Sequence, residues 1–422
     1  MKVDGDDDLF IVLGLDFGTS STKLIVRLHY EPGQPSIAIP APAFCQSNNH
    51  PYLWQTVIWL NENSEIFSPY PEEGATVLNN LKHGLIQWRS DSFRPEFDST
   101  FKFNPHQAVV AYLAFVIRYT RGWLLLNRPK LFRGRKPVWF VNLGMPSASY
   151  DDEKLTKLYR CVGAAALQLA KFDKPIKIDT VRLFLDDSNV VKSRESKEAA
   201  EELGINVIPE AAAEMTCFAK STRSASGLYL MVDVGAMTLD ACMFRLNQVE
   251  NKPDRFGFMA ADVRPLGVDS LHWFLCNGKT KQEFVEQCNR MLRKIIVYTK
   301  RHRDPNASNW KPGGNTPIFL AGGGAANSLH QDIIIKDLDN WLKKYNSGND
   351  GLLKLEFPPD NTLDLPETIT ESSQIFGRMA VAWGLSYPPT EIGDIASMRE
   401  IENIPLPTKS ENSNKFIGPE QV

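Results

Sequence analysis

The chain has 422 residues, 43% of them hydrophobic and 23% charged, with a formal net charge of −3 and an isoelectric point near 6.2. This is the balance of a soluble globular protein large enough for two lobes, with no basic field for nucleic acid. The six cysteines form no C-x-x-C pair and no cluster with histidine, so a disulfide framework or zinc site is not expected and reduced cytoplasmic thiols are.

The first residues, MKVDGDDDLF, carry no charged-then-apolar signal pattern, and residues 1–8 read as an acidic flexible end. No apolar run is expected to reach a membrane span. A strand-turn-strand hairpin then covers about residues 10–28. Its first strand holds Ile11, Val12, Leu13 and Leu15, is interrupted by Asp16, and turns at Phe17-Gly18 and the hydroxyl run Thr19-Ser20-Ser21-Thr22 before Lys23. Residues 30–107 are mixed, with strand-like pieces such as QTVIWL at 55–60. A helix from about Pro105 to Leu126 is apolar on too many sides for one solvent face and should pack between layers. PVWFVNLGMP (137–146) reads as a buried strand, 151–170 as an amphipathic helix with an acidic first turn, KIDTVRLFLDDS (177–188) as a strand and 196–204 as a helix.

The second half repeats this logic. INVIPEAAAEMTCFAKS (205–221) is strand, proline, helix, and LYLMVDVGAMTLDACMFRL (228–246) is a second hairpin. Residues 284–301 form a helix, NTPIFLAGGGAANSLHQDIIIKDL (315–338) a strand, glycine turn and helix, and 372–386 a compact helix of small residues. The basic stretch 300–315 reads as a solvated loop. From Tyr387 the chain reads as an extended tail in which Phe416-Ile417 are apolar anchors, either packed back on the body or docked on a partner. Strands and helices interleave throughout, so the class is α/β.

The two hairpins carry the chemistry. Asp16, Gly18 and Ser21 stand at offsets 0, +2 and +5, and Asp233, Gly235 and Thr238 hold the same offsets. One Asp-x-Gly hairpin is ordinary turn chemistry; two with matching hydroxyls form an internal repeat of a functional turn. Such turns present successive backbone N–H groups and hydroxyls to phosphate from both sides. Asp16 and Asp233 are then placed for a hydrated Mg²⁺, which keeps most of its waters and uses one or two carboxylates. Gly322-Gly323-Gly324, between a strand and a helix, lets backbone press against a flat or anionic group.

In order, GLDFGTSSTK, IPEAAAE, VDVGAMTLD, FLAGGGAA and GRMAVAWGLS resemble the signature of the actin, heat-shock-chaperone ATPase and sugar kinase superfamily across most of residues 10–387. PLGVDSLH (265–272) and NNLKHGLI (79–86) are most similar to the nucleotide-binding domain of the seventy-kilodalton heat-shock chaperones. The resemblance implies two lobes of duplicated ribonuclease-H-like type with ATP in the cleft between them. It places the first lobe at 9–208, with an inserted subdomain near 30–135, the second at 209–387, with a reduced subdomain, and an extended tail at 388–422. It also implies site roles. Asp16 and Asp233 orient Mg²⁺-bound waters, and Lys82 and Glu210 act in hydrolysis. Gly18, Thr19, Ser20, Ser21 and Lys23 face Gly235, Ala236 and Thr238 across the phosphates, while Gly322, Gly323, Gly324 and Ala325 pass beside the adenosine.

Three departures qualify it. The second turn reads Gly-Ala-Met where the chaperones have three glycines, the stretch from Gly267 to Gly322 is short, and the residues after 387 cannot build a peptide-binding domain. The expectation is a slow, chaperone-like Mg–ATPase switch acting through a protein partner, with the tail as a docking element. The alternatives are an actin-like filament, a small-molecule (sugar-type) kinase and a scaffold that only binds nucleotide.

Overall fold

The computed structural model describes residues 7–48, 50–86, 105–186, 195–250, 252–346, 351–358, 363–365 and 373–403. Residues 1–6 of the acidic end and the Phe416-Ile417 pair lie outside the described residues.

Two sheets share one strand order. In the first, β1 (Asp7–Phe17), β2 (Ser21–Arg27) and β3 (Ser36–Ala38) are antiparallel neighbours, and β4 (Arg135–Met145) and β5 (Ile205–Pro209) extend the other side of β1 in parallel. In the second, β6 (Gly227–Val234), β7 (Leu239–Asn247) and β8 (Arg255–Arg264) form the antiparallel half, and β9 (Thr316–Ala321) and β10 (Leu352–Leu355) the parallel half. Both therefore run 3-2-1-4-5 in their own strands, which is the duplicated ribonuclease-H-like plan. Each central strand is covered on both faces and so reads as a nearly continuous apolar run: Ile11, Val12, Leu13 and Leu15 are all buried.

Helices cover the faces. In the first lobe these are α1 (Leu81–Ile86), α2 (Pro105–Asn127), α3 (Glu153–Leu169) and α4 (Ile178–Asp186). α5 (Glu210–Ala219) follows β5 directly, α6 (Ser270–Cys276) and α7 (Lys281–Tyr298) belong to the second lobe, and α8 (Ser373–Leu385) returns to the first sheet. Small residues set how closely α8 docks. A Cβ on Gly384 would lie 1.7 Å from the carbonyl oxygen of Ala213 in α5, and one on Gly14 of β1 would lie 2.2 Å from that of Ala382.

Several expectations change. Residues 178–186 are helical rather than extended, because Ile178, Val181, Phe184 and Leu185 fall on one helical face that packs on the first-lobe core. Strand β8 was not anticipated. α2 is long and apolar enough to cross a membrane by composition, contrary to the expectation that no run would be, yet thirteen of its residues are buried among first-lobe side chains. Within the span expected for the insertion, a small sheet joins Ile58–Asn61, Ile66–Ser68 and Ala75–Leu78, and Ile176–Lys177 closes it. The second lobe has no strand between Arg264 and Thr316. The extended tail expected from 388 begins instead with a short helix, Pro389–Ile392, and then β11 (Asp394–Ala396), which pairs in parallel with Arg255–Gly257 at the edge of the second sheet.

Candidate functional site

The repeated turns share one ladder register, Phe17 opposite Thr22 and Val234 opposite Leu239. β1 ends at Phe17 and β2 resumes at Ser21; β6 ends at Val234 and β7 resumes at Leu239. At the first turn, Thr56 donates its hydroxyl to the Gly18 carbonyl (2.8 Å) and its N–H to the Ser20 carbonyl (3.2 Å), so the insertion braces the loop. At the second, the carbonyls of Gly235, Ala236 and Met237 accept from the N–H groups of Val268, Asp269 and Gly267. These contacts occupy carbonyls and leave donors over. Among the described residues no hydrogen bond takes the N–H of Thr19, Ser20, Ala236 or Met237. Two sets of free amides facing one cleft suit a polyanion.

Charge is distributed unequally between the two turns. Asp16 sits opposite Lys23 in the β1–β2 ladder and accepts from its ammonium at 2.9 Å. At the same offset in the second hairpin, Asp233 sits opposite Asp240. Like charges placed directly opposite repel. Glu210, at the first turn of α5, accepts from Lys82 Nζ at 2.6 Å, and Gly144 leaves room for it: a Cβ there would be 3.0 Å from Glu210 Cγ. Glu214 is buried one turn further along.

Burial pushes the Glu210 and Asp233 carboxyls up, a rise that Asp16 adds to and that Lys82 opposes at Glu210 and Lys23 at Asp233. It pushes Glu214 and Asp240 well above the ordinary range, with neighbouring carboxylates adding to both. Burial would lower the Lys82 ammonium, but Glu210, Tyr159 and Asp16 hold it above its usual value. Five carboxylates thus meet two ammonium groups.

The glycine turn abuts the second hairpin. Gly322 has φ +81°, and a Cβ there would lie 1.9 Å from Asp233 Oδ1; the Gly324 N–H donates to the Val234 carbonyl at 2.8 Å. Only glycine meets both the left-handed backbone and the close approach.

These residues fit Mg²⁺ with a nucleotide. Asp233 Oδ1 is buried with no hydrogen-bond partner, and it shares the cleft with Asp16, Glu210 and Asp240. Among the described residues no three His, Cys, Asp or Glu side chains converge as direct metal ligands. The cleft encloses about 330 Å³, within the range of small-molecule sites.

Every residue expected at the site lines this one cleft except Ala325, which is set back and closes a turn onto the Gly322 carbonyl. Lys82, placed by a short similarity, lines it and donates to Glu210. Sequence reasoning missed Asp240, Glu214, Asp269 and Arg378. Asp240 was legible, since it repeats the offset of Lys23. Arg378 was not, because only folding brings α8 beside the glycine turn.

A duplicated five-stranded plan with a cleft between the copies decides the architecture. The fold is the two-lobed actin-like one. No family model and no curated relative matches this chain. Among solved structures it is similar to MreB5 of Spiroplasma citri bound to ADP, at 11% identity and a TM-score of 0.37 over 82% of this chain and 91% of that one. It is also similar to the same protein bound to AMPPNP, at 10% identity and 0.41, over 89% and 94% respectively. Likeness this distant does not bear on activity, and the actin-like assignment rests on the strand order.

Proposed function

We propose that this actin-like chain binds Mg²⁺–ATP between its lobes and hydrolyses it slowly, acting as a nucleotide-dependent switch. One observation carries the reading: the free amides of both turns, the unpartnered Asp233 carboxylate and the Lys82–Glu210 pair all open into the same cleft. The amides of Thr19, Ser20 and Ala236 hold the phosphates from opposite lobes, so nucleotide content couples to lobe closure. Asp16 and Asp233 would hold a Mg²⁺ through its waters, and the ion would supply neutralisation of phosphate charge. Glu210, held by Lys82, orients the attacking water; its raised proton affinity brings it toward the range where a carboxylate serves as general base.

The test separates binding from chemistry. Glu210→Gln should cut hydrolysis by at least about 10²-fold and leave ATP affinity nearly unchanged, because backbone amides hold the phosphates. Near-normal hydrolysis in that variant would return Glu210 to a helix-terminal acid.

Two uses of the switch remain, a report of nucleotide state to a protein partner and self-assembly into an actin-like filament. The compact second lobe, with no strand between Arg264 and Thr316, fits the filament at least as well as the chaperone-like reading. Electron microscopy with Mg–ATP distinguishes them. ATP turnover measured with and without candidate sugars tests the kinase alternative.

A further inference from the structure

The cleft holds one cation that the switch reading does not use. Arg378 projects from α8 of the first lobe to the glycine turn of the second. Its guanidinium lies over Gly323, where a Cβ would be 3.4 Å from one terminal nitrogen and 3.7 Å from both Cζ and Nε. Arg378 lines the same cleft as both phosphate turns, and its Nε is buried with no hydrogen-bond partner. It makes no ion pair among the described residues, although five carboxylates share the cleft. Guanidinium stays charged under all ordinary conditions, and a half-buried charge without a counter-ion is costly. Glycine at 323 lets the guanidinium come close to the turn, with no side chain of its own between them.

We propose that Arg378 clamps the phosphate chain of the bound nucleotide, adding a side-chain cation to the two backbone turns. A planar fork of donors matches phosphate oxygens, and an anion supplies the missing counter-charge, as an uncharged base would not. The clamp rests on the nucleotide reading above and deepens it. Because Arg378 reaches the second-lobe turn from a first-lobe helix, phosphate held there also ties the lobes together.

Calorimetric titration of the full chain with Mg–ATP, and competition by inorganic tripolyphosphate and by adenosine, test it. Arg378→Gln should weaken ATP and tripolyphosphate alike, by about 10-fold to 100-fold, leave adenosine unchanged, and melt near the wild-type temperature because no internal bond is lost. Arg378→Lys should restore part of the loss. Wild-type affinity for ATP in Arg378→Gln overturns the clamp, as does a loss shared by adenosine but not tripolyphosphate, which marks a base contact. A wild-type chain that binds no nucleotide at all overturns the nucleotide reading itself.

Discussion

The Lys82–Glu210 pair gives the sharpest prediction. The atoms are 2.6 Å apart, with side chains 10% and 12% exposed, and they join α1 of the first lobe to the start of α5. Lys82→Met keeps the bulk and removes the ammonium. It leaves Glu210 facing Asp16 and Asp233 without the cation that opposed their effect. Breaking a buried pair from one side costs about 3–5 kcal/mol, and each kcal/mol moves the melting point of a large domain by about 2–4 °C, so a fall of roughly 6–20 °C is expected at pH 8.

The deficit depends on pH. The folded-state pKa of Glu210 is already raised, and loss of Lys82 raises it further. Stability from such a group is complete below the unfolded value, about 4.3, and is lost as pH rises through the folded value. The variant should therefore approach wild type at pH 5 and separate from it at pH 8. Lys82→Met/Glu210→Gln, which buries neither charge, should recover most of the loss. Differential scanning calorimetry across pH measures all of this. A pH-independent deficit, or a double variant as unstable as the sum of the singles, would refute the coupling.

Other outcomes follow from the same geometry. Glu210, Glu214, Asp233 and Asp240 all have raised pKa values, so the nucleotide-free chain should lose stability as pH rises from about 4 through their folded values. The melting shift on adding Mg–ATP should accordingly be larger at pH 8 than at pH 6; equal shifts would count against a cation in the carboxylate cluster. Ligand at about a thousand times its dissociation constant stabilises by roughly 4 kcal/mol, a shift that Gly18→Val should abolish because a Cβ there meets the Ser21 carbonyl at 2.3 Å. Gly235→Val, with its Cβ 3.1 Å from the Thr238 carbonyl, should do the same, and persistence of the shift in either variant would remove the turns from binding. Deleting residues 394–403 strips β11 from β8 and should lower the melting temperature of the nucleotide-free chain; an unchanged temperature would make that strand dispensable.

Local chemistry made much of this protein readable from its residues alone. Central strands buried on both faces appear as unbroken apolar runs, and a turn that leaves its amides free needs Gly and short polar residues at set offsets. Both hairpins, the proline before Glu210 and the glycine turn could therefore be placed from sequence, as could all but one of the expected cleft residues. Other features depended on partners far away in the chain. Residues 178–186 carry apolar side chains compatible with either period, and the first-lobe core they pack on selects the helix. Strand β11 is three residues long and has no pattern of its own; the open edge of β8, more than a hundred residues earlier, makes it a strand. Asp240 shows in sequence only as a repeat of the Lys23 offset, and Arg378 not at all, because electrostatic character belongs to a neighbourhood. The β6–β7 ladder itself sets Asp240 against Asp233, whereas only tertiary folding brings Glu210 near them and lays Arg378 over Gly323.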